Sequence, residues 1–351
     1  MNWLWEHPIF ALPQVEKEAL LLAELNKLTS HHEVNCPSFA NILKAFHWGH
    51  SEDYSQLPYL ACRLFKLMKL QSIPDAKIFK MISSSGTTGA ASQIVLDRET
   101  ASLQTKVLVK ILQEFIGKQR LPMLLIEKTS LVQNRNDFSA RGAGAVGLSF
   151  LGRDHTYALD SNMQPDWKTI DAFCEQYSNQ PTILFGFTFM VWEHFLEQIK
   201  KRGHKLSFEQ GILFHSGGWK KLQHKAVDNV TFKMQCSEWL GITKVHNFYG
   251  MAEQIGSIFV ECESGHLHAP LHSDVIIREP TTLAPLPIGK EGLIQVLSAI
   301  PKSYPGHSLL TEDIGRIIGI DNCCCGRKGQ YFEVIGRQKG AEVRGCSDTF
   351  Q

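Results

Sequence analysis

Residues 82–89 read Ile82-Ser83-Ser84-Ser85-Gly86-Thr87-Thr88-Gly89, and this run decides the fold. Hydroxyl side chains, two glycines and closely spaced backbone N–H groups make a loop suited to an anionic polyphosphate. Glycine lets the backbone come close, and the amides and hydroxyls donate hydrogen bonds. It is not a Walker loop, because no Gly-Lys-Ser/Thr closes it. On the residues alone, a plain Ser/Thr/Gly surface loop is the alternative. Just downstream, Asp97 is placed to cap a helix with Glu99 in its first turn and Leu103, Val107, Ile111 and Phe115 at helical spacing.

Outward from this run the pattern alternates. Pro122-Met123-Leu124-Leu125-Ile126, Thr182-Ile183-Leu184-Phe185 and Gly211-Ile212-Leu213-Phe214 predict buried strands. Helical stretches over Phe189–Lys201 and Trp219–Leu240 separate them. Such βα alternation predicts an α/β fold with a mostly parallel, covered sheet. Residues 14–29 predict an amphipathic N-terminal helix on Leu20, Leu21, Leu22 and Leu25. Beyond residue 255, Val275-Ile276-Ile277, Leu293-Ile294-Gln295-Val296 and Arg316-Ile317-Ile318 predict short strands of a smaller β-rich subdomain.

Four further runs place polar residues at element ends. His215-Ser216-Gly217-Gly218-Trp219-Lys220 follows a strand, and its Gly-Gly pair lets a flat ligand lie against backbone where open α/β sheets bind ligands. A tight βα turn is the alternative. The others are Val245-His246-Asn247-Phe248-Tyr249-Gly250-Met251-Ala252-Glu253, Thr311-Glu312-Asp313-Ile314-Gly315 and Gly336-Arg337-Gln338-Lys339-Gly340.

In order and spacing, the five runs resemble the motifs of the acyl-adenylate-forming superfamily. That resemblance implies activation of a carboxylate by ATP and Mg²⁺, with release of pyrophosphate. It implies that Ser84, Ser85, Gly86, Thr87, Thr88 and Gly89 surround the phosphates, and that Gly217, Gly218, Tyr249 and Gly250 belong to the nucleotide site, with Tyr249 on adenine. It also implies that Glu253 holds Mg²⁺, that Asp313 binds the ribose hydroxyls and that Arg337 lies near the phosphates or ribose. The implied fold is the large N-terminal domain of an adenylate-forming enzyme, with βα-type sheets, a smaller β-rich subdomain and a C-terminal lid domain largely absent. The corresponding expectation is an α/β core with an N-terminal helical region over 1–255, the β-rich subdomain over 256–335 and a truncated hinge and tail over 336–351. Three departures stand out. Ala91-Ser92 occupies the place of the usual Pro-Lys, Met251 replaces the usual threonine, and the chain stops soon after the hinge without a late catalytic lysine.

Arg344-Gly345-Cys346, Arg63-Leu64-Phe65-Lys66 and Ser303-Tyr304-Pro305-Gly306-His307 resemble one branch of the superfamily. It is the acyl-protein synthetase of the bacterial luminescence fatty-acid reductase, the LuxE family. This resemblance implies a long-chain fatty acid as the substrate activated to acyl-AMP, Cys346 as acyl acceptor, and a reductase subunit as the protein that next receives the acyl group. A thioester suits such a relay, since a thiolate attacks the mixed anhydride readily and later leaves well. The alternatives are a CoA ligase, an adenylating enzyme for a small acid, and a degenerate adenylate- or partner-binding module.

The 351 residues carry a formal charge of +1, which gives no electrostatic footprint for nucleic acid or an anionic membrane. No apolar run is long enough for a membrane span, and the N-terminal residues do not read as a signal peptide, so the cytoplasm is expected. Of nine cysteines, Cys262, Cys323, Cys324, Cys325 and Cys346 crowd into the last quarter. In a reducing compartment such clustering points to metal or catalysis. Cys262, His268, Cys323 and Cys325 have the ligand types and pairing of a structural Zn²⁺ site, with His266, His272 and Cys324 as alternative ligands. A reduced, unliganded thiol cluster is the competing reading.

Overall fold

The computed structural model describes residues 2–83, 92–129, 147–219, 224–254 and 256–338. The described residues of Met1–Glu114 and Tyr249–Glu342 form one compact unit, and those of Phe115–Phe248 form another.

In the Phe115–Phe248 unit, strands run parallel in the order Lys244–Tyr249, Gly211–Ser216, Thr182–Phe187, Leu121–Lys128 and Gly152–Leu159. Every residue of Thr182–Phe187 and Gly211–Ser216 is buried, as continuous apolar runs covered on both faces must be. Helix Trp167–Tyr177 starts where Asp166 accepts a hydrogen bond from the Thr169 amide. A helical stretch over 188–202, with a π-helical segment Val191–Leu196, stops at left-handed Gly203. The helix expected over Trp219–Leu240 begins only at Asn229. There the Asp228 carboxylate accepts from the Thr231 amide, so this cap sets the start.

The other unit is built on an antiparallel sheet, ordered Ser273–Arg278, Gly292–Ser298, Ser308–Ile320, Gln330–Arg337, Leu267–His268 and Phe259–Glu261. The short strand Leu60–Ala61 joins Ser308–Ile320 in parallel. Strands Lys80–Ser83 and Gln93–Leu96 form a separate antiparallel pair, and residues 84–91 between them lie outside the described residues. The expectations for Ser84 to Gly89 fall there. Helix Arg98–Ile116 follows, its start fixed by Asp97 Oδ1 accepting from the Thr100 amide at 2.8 Å.

The N-terminal helix is longer than expected. It runs Gln14–Asn35 and ends where Pro37 holds Cys36 extended. Leu21, Leu25 and Leu28 pack with Ile276, Leu297 and Ala299 of the antiparallel sheet. Each such leucine contributes about 1.5–3 kcal/mol by leaving water. Below them, Lys17 Nζ lies 3.2 Å from Asp274 Oδ2 with both side chains buried. Gln14 Nε2 donates to the same oxygen at 2.7 Å and Tyr54 Oη at 3.2 Å. Burial lowers the Lys17 pKa while Asp274 opposes the shift. Removing one partner alone would strand the other charge, a loss of about 3–5 kcal/mol. Through these contacts the N-terminal segment seats its apolar stripe on the β-rich strands. No helix among the described residues is long and apolar enough to cross a membrane.

Candidate active site

Strand register brings the first pair of site residues together. Asp313 and Arg337 are direct cross-strand partners, and Arg337 Nε donates to Asp313 Oδ1 at 2.9 Å. The second carboxylate oxygen accepts from Tyr249 Oη at 2.7 Å. Asp313 lies within strand Ser308–Ile320, where the Thr311 hydroxyl donates to the Ile294 carbonyl at 2.7 Å and accepts from the Asp313 amide at 3.1 Å. Burial, then the Asp313 charge, raises the Tyr249 pKa well above 10, so the phenol remains a donor. Tyr249, Asp313 and Arg337, separated by up to 88 positions in sequence, thus share one polar cluster.

Glu253 lies in the short turn Ala252–Gln254 and is buried. Its Oε1 accepts from the Ser92 hydroxyl at 2.8 Å. Gln254 Nε2 donates to the Gly306 carbonyl at 2.9 Å and to the Val296 carbonyl at 3.3 Å. Gly306 is required there, because a Cβ would collide with the Tyr304 ring and come within 2.9 Å of the Glu253 carbonyl. Gly250 is less constrained, with a Cβ position 3.1 Å from the Ile258 side chain.

In the parallel unit, Gly217 follows strand Gly211–Ser216 with φ +82°, a conformation that favours glycine. Gly218 has open space where a side chain would project. Sequence reasoning missed His215 beside them. It is buried, its Nδ1 lies 2.9 Å from Thr188 Oγ1, and its ring stacks on Phe232 at 4.4 Å. Burial lowers its pKa to about 3. Its position at the end of a buried strand, just before the Gly-Gly pair, was the available signal.

A second constellation lies at two adjacent turns of the antiparallel sheet. Ligand atoms of Cys262, His268, Cys323 and Cys325 all lie within 4.8 Å of one another. Cys262 follows strand Phe259–Glu261, His268 ends strand Leu267–His268, and both other cysteines sit in the turn before Gln330–Arg337. Cys325 Sγ is 3.4 Å from His268 Nε2, and Cys262 Sγ is 3.9 Å from Cys323 Sγ. Three thiols and one imidazole at these separations fit a tetrahedral Zn²⁺. Burial pushes the Cys323 thiol up to about 12, and a bound cation would reverse that preference. Of the alternatives, His272 points its Nε2 at the Gly256 carbonyl and exposed Cys324 donates to Ser264 Oγ. His266 lies beside the cluster, 3.6 Å from Cys323 Sγ.

The profile of the family described as "Acyl-protein synthetase, LuxE" matches residues 10–351. The chain belongs to the LuxE family. It is therefore an acyl-adenylate-forming ligase by family. Relatives named long-chain-fatty-acid–luciferin-component ligase occur in Vibrio harveyi and Aliivibrio fischeri. The first is 23% identical over 335 residues, covering 84% of this chain and 78% of the relative. The second is 23% identical over 328 residues, covering 86% and 84%. Among solved structures, a 2-hydroxyisobutyryl-CoA ligase in its postadenylation state with 2-HIB-AMP superposes with a TM-score of 0.72 at 14% identity. That alignment covers 93% of this chain and 69% of that one. At this identity the likeness establishes the fold, that of the N-terminal part of adenylate-forming ligases. Cys346, the LuxE acceptor expected from sequence, lies outside the described residues.

Proposed function

We propose that the chain activates a fatty acid with ATP and then carries the acyl group on its own cysteine. In the first step, a carboxylate oxygen of the acid attacks the α-phosphorus of ATP, giving acyl-AMP and pyrophosphate. In the second, the Cys346 thiolate attacks the acyl carbonyl, forming a thioester and expelling AMP. An acyl-acceptor protein of the reductase type then receives the acyl group.

The observation that carries this reading is the convergence of Tyr249, Asp313 and Arg337. An aromatic ring, a carboxylate for ribose hydroxyls and a guanidinium for phosphate or ribose are what a nucleotide demands. Glu253 supplies a hard oxygen for Mg²⁺ on the phosphates. Ser84, Ser85, Gly86, Thr87, Thr88 and Gly89 take the phosphates, and Gly217 and Gly218 take flat parts of the ligand. Mg²⁺, when bound, neutralises charge on the polyphosphate as it leaves. Zn²⁺ at Cys262, His268, Cys323 and Cys325 pins the two turns together and does not enter the chemistry. The eight described cysteines all lie outside disulfides, which fits a reducing cytoplasm.

Exchange of labelled pyrophosphate into ATP tests the first step. It should occur only with the cognate acid, found by screening acids of increasing chain length. Radiolabelled acid should then stay on denatured protein and be released by neutral hydroxylamine. Exchange without any protein label would favour a CoA ligase, and absence of exchange with every acid would remove the adenylation reading.

A further inference from the structure

Ser92 stands where the superfamily resemblance leads one to expect a lysine, yet it is fully buried and its hydroxyl donates to Glu253 Oε1 at 2.8 Å across 161 residues of sequence. We propose that Ser92 is a positioning residue for Glu253: it commits Oε1 of the carboxylate, so that Oε2 is the oxygen offered to Mg²⁺. The proposal rests on the adenylation reading above and deepens it by naming what aims the metal-binding group.

The surroundings of this pair favour positioning over casual contact. Ser92 leads directly into strand Gln93–Leu96. From that strand, the Val95 carbonyl accepts from the Ser303 hydroxyl at 2.8 Å. Ser303 opens the Ser303-Tyr304-Pro305-Gly306-His307 segment, whose Gly306 carbonyl accepts from Gln254, the residue after Glu253. Three hydrogen bonds, joined by the backbone of 253–254, 303–306 and 92–95, therefore close a ring: Ser92 to Glu253, Gln254 to Gly306, and Ser303 to Val95. A ring of this kind fixes the carboxylate relative to the strand that follows Ser92. In a buried setting, a hydroxyl donating to a carboxylate is a charge-assisted bond with a defined direction. A lysine at this place would supply a positive charge beside the phosphates. A serine supplies orientation and leaves charge neutralisation to the metal.

The prediction is a Mg²⁺ phenotype. Ser92→Ala should raise the Mg²⁺ concentration for half-maximal pyrophosphate exchange roughly tenfold, the factor expected for one lost hydrogen bond to a charged group. The KM for the fatty acid should stay at the wild-type value. Ser92→Thr, which keeps the hydroxyl, should recover most of the Mg²⁺ response. Should alanine unfold the strand pair, Ser92→Cys keeps the shape with a poor donor and should show the same shift. In a Glu253→Gln background, Ser92→Ala should cost nothing further. Unchanged Mg²⁺ dependence in the alanine and cysteine variants, or losses that multiply with those of Glu253→Gln, would overturn the proposal. Wild-type protein without exchange would count against adenylation itself. Calorimetry of Mg²⁺–ATP binding then decides the Ser92 question: weaker binding by the variant supports it, and equal or absent binding overturns it.

Discussion

Tyr249 Oη and Asp313 Oδ2 are 2.7 Å apart, and the phenol is the donor. With Arg337 on the other carboxylate oxygen, Asp313 is held from both sides. Tyr249→Phe keeps the ring and removes one restraint. We expect KM for ATP to rise roughly tenfold, the worth of one hydrogen bond to a charged group, with a smaller change in kcat. Asp313→Asn should raise it further. Unaltered KM values in both variants would show that this carboxylate does not meet the ribose.

Protein purified without chelator should contain about one zinc per chain, the stoichiometry of a four-ligand structural site. Cys325→Ser should lower both zinc content and the melting temperature, and chelation should mimic it. Because the cysteines sit in turns of the antiparallel sheet, the loss should fall on stability before activity. Metal analysis showing no zinc in wild-type protein would contradict this.

Cys346→Ser should leave acid-dependent pyrophosphate exchange near the wild-type rate, since adenylation precedes transfer. Stable, hydroxylamine-labile acylation should vanish. A variant that still carries label would place the acceptor elsewhere, with exposed Cys324 as the first cysteine to examine.

Stability should fall with acid because of buried, neutral histidines. His32 and His307 stack at 5.0 Å, with His32 Nδ1 2.8 Å from Ser72 Oγ and His307 Nε2 3.0 Å from Thr29 Oγ1. Burial lowers His307 to about 3 and His32 well below its ordinary value, and burial also lowers His215 and His272 to about 3. Depressed folded pKa values mean that the unfolded chain binds more protons in acid. The stabilisation is complete above the unfolded value of about 6.5 and is lost as pH falls toward about 3. The urea midpoint should be flat between pH 7 and 8 and drop between pH 6 and 4.5, less steeply in His307→Gln. A wild-type midpoint that does not change across this range would refute the assignment.

The runs Thr182–Phe185 and Gly211–Phe214 were legible as strands because continuous apolar residues bounded by turns leave few other solutions. The Cys262, His268, Cys323 and Cys325 set was legible because ligand chemistry limits which residue types can assemble. What stayed hidden was pairing across distance. Nothing local to Ser92 announces Glu253, and nothing near Tyr249 shows that its hydroxyl turns to Asp313. His32 and His307 carry no periodic signal that they stack. The helix start at Asn229 was misplaced because the apolar pattern extends upstream of the Asp228 cap. The seat of the N-terminal helix was hidden too: a leucine stripe tells that a helix is covered, without telling by which strand.

That seat sets a timetable for synthesis. Gln14 meets Asp274 across 260 residues, so at a translation rate of about 5–20 residues per second the partner emerges roughly 13–52 s later. Through that interval the stripe of Leu21, Leu25 and Leu28 has no native seat, while Phe115 to Phe248, whose strands pair among themselves, leaves the ribosome before Asp274 does. Nascent chains arrested once Phe248 has emerged and before Ser273 has should therefore protect the parallel unit from protease and leave residues 14–35 open to cutting. Equal protection of both would mean that the N-terminal helix finds a temporary seat. Yield in a cell then depends on how well holding chaperones cover that stripe until the β-rich strands arrive.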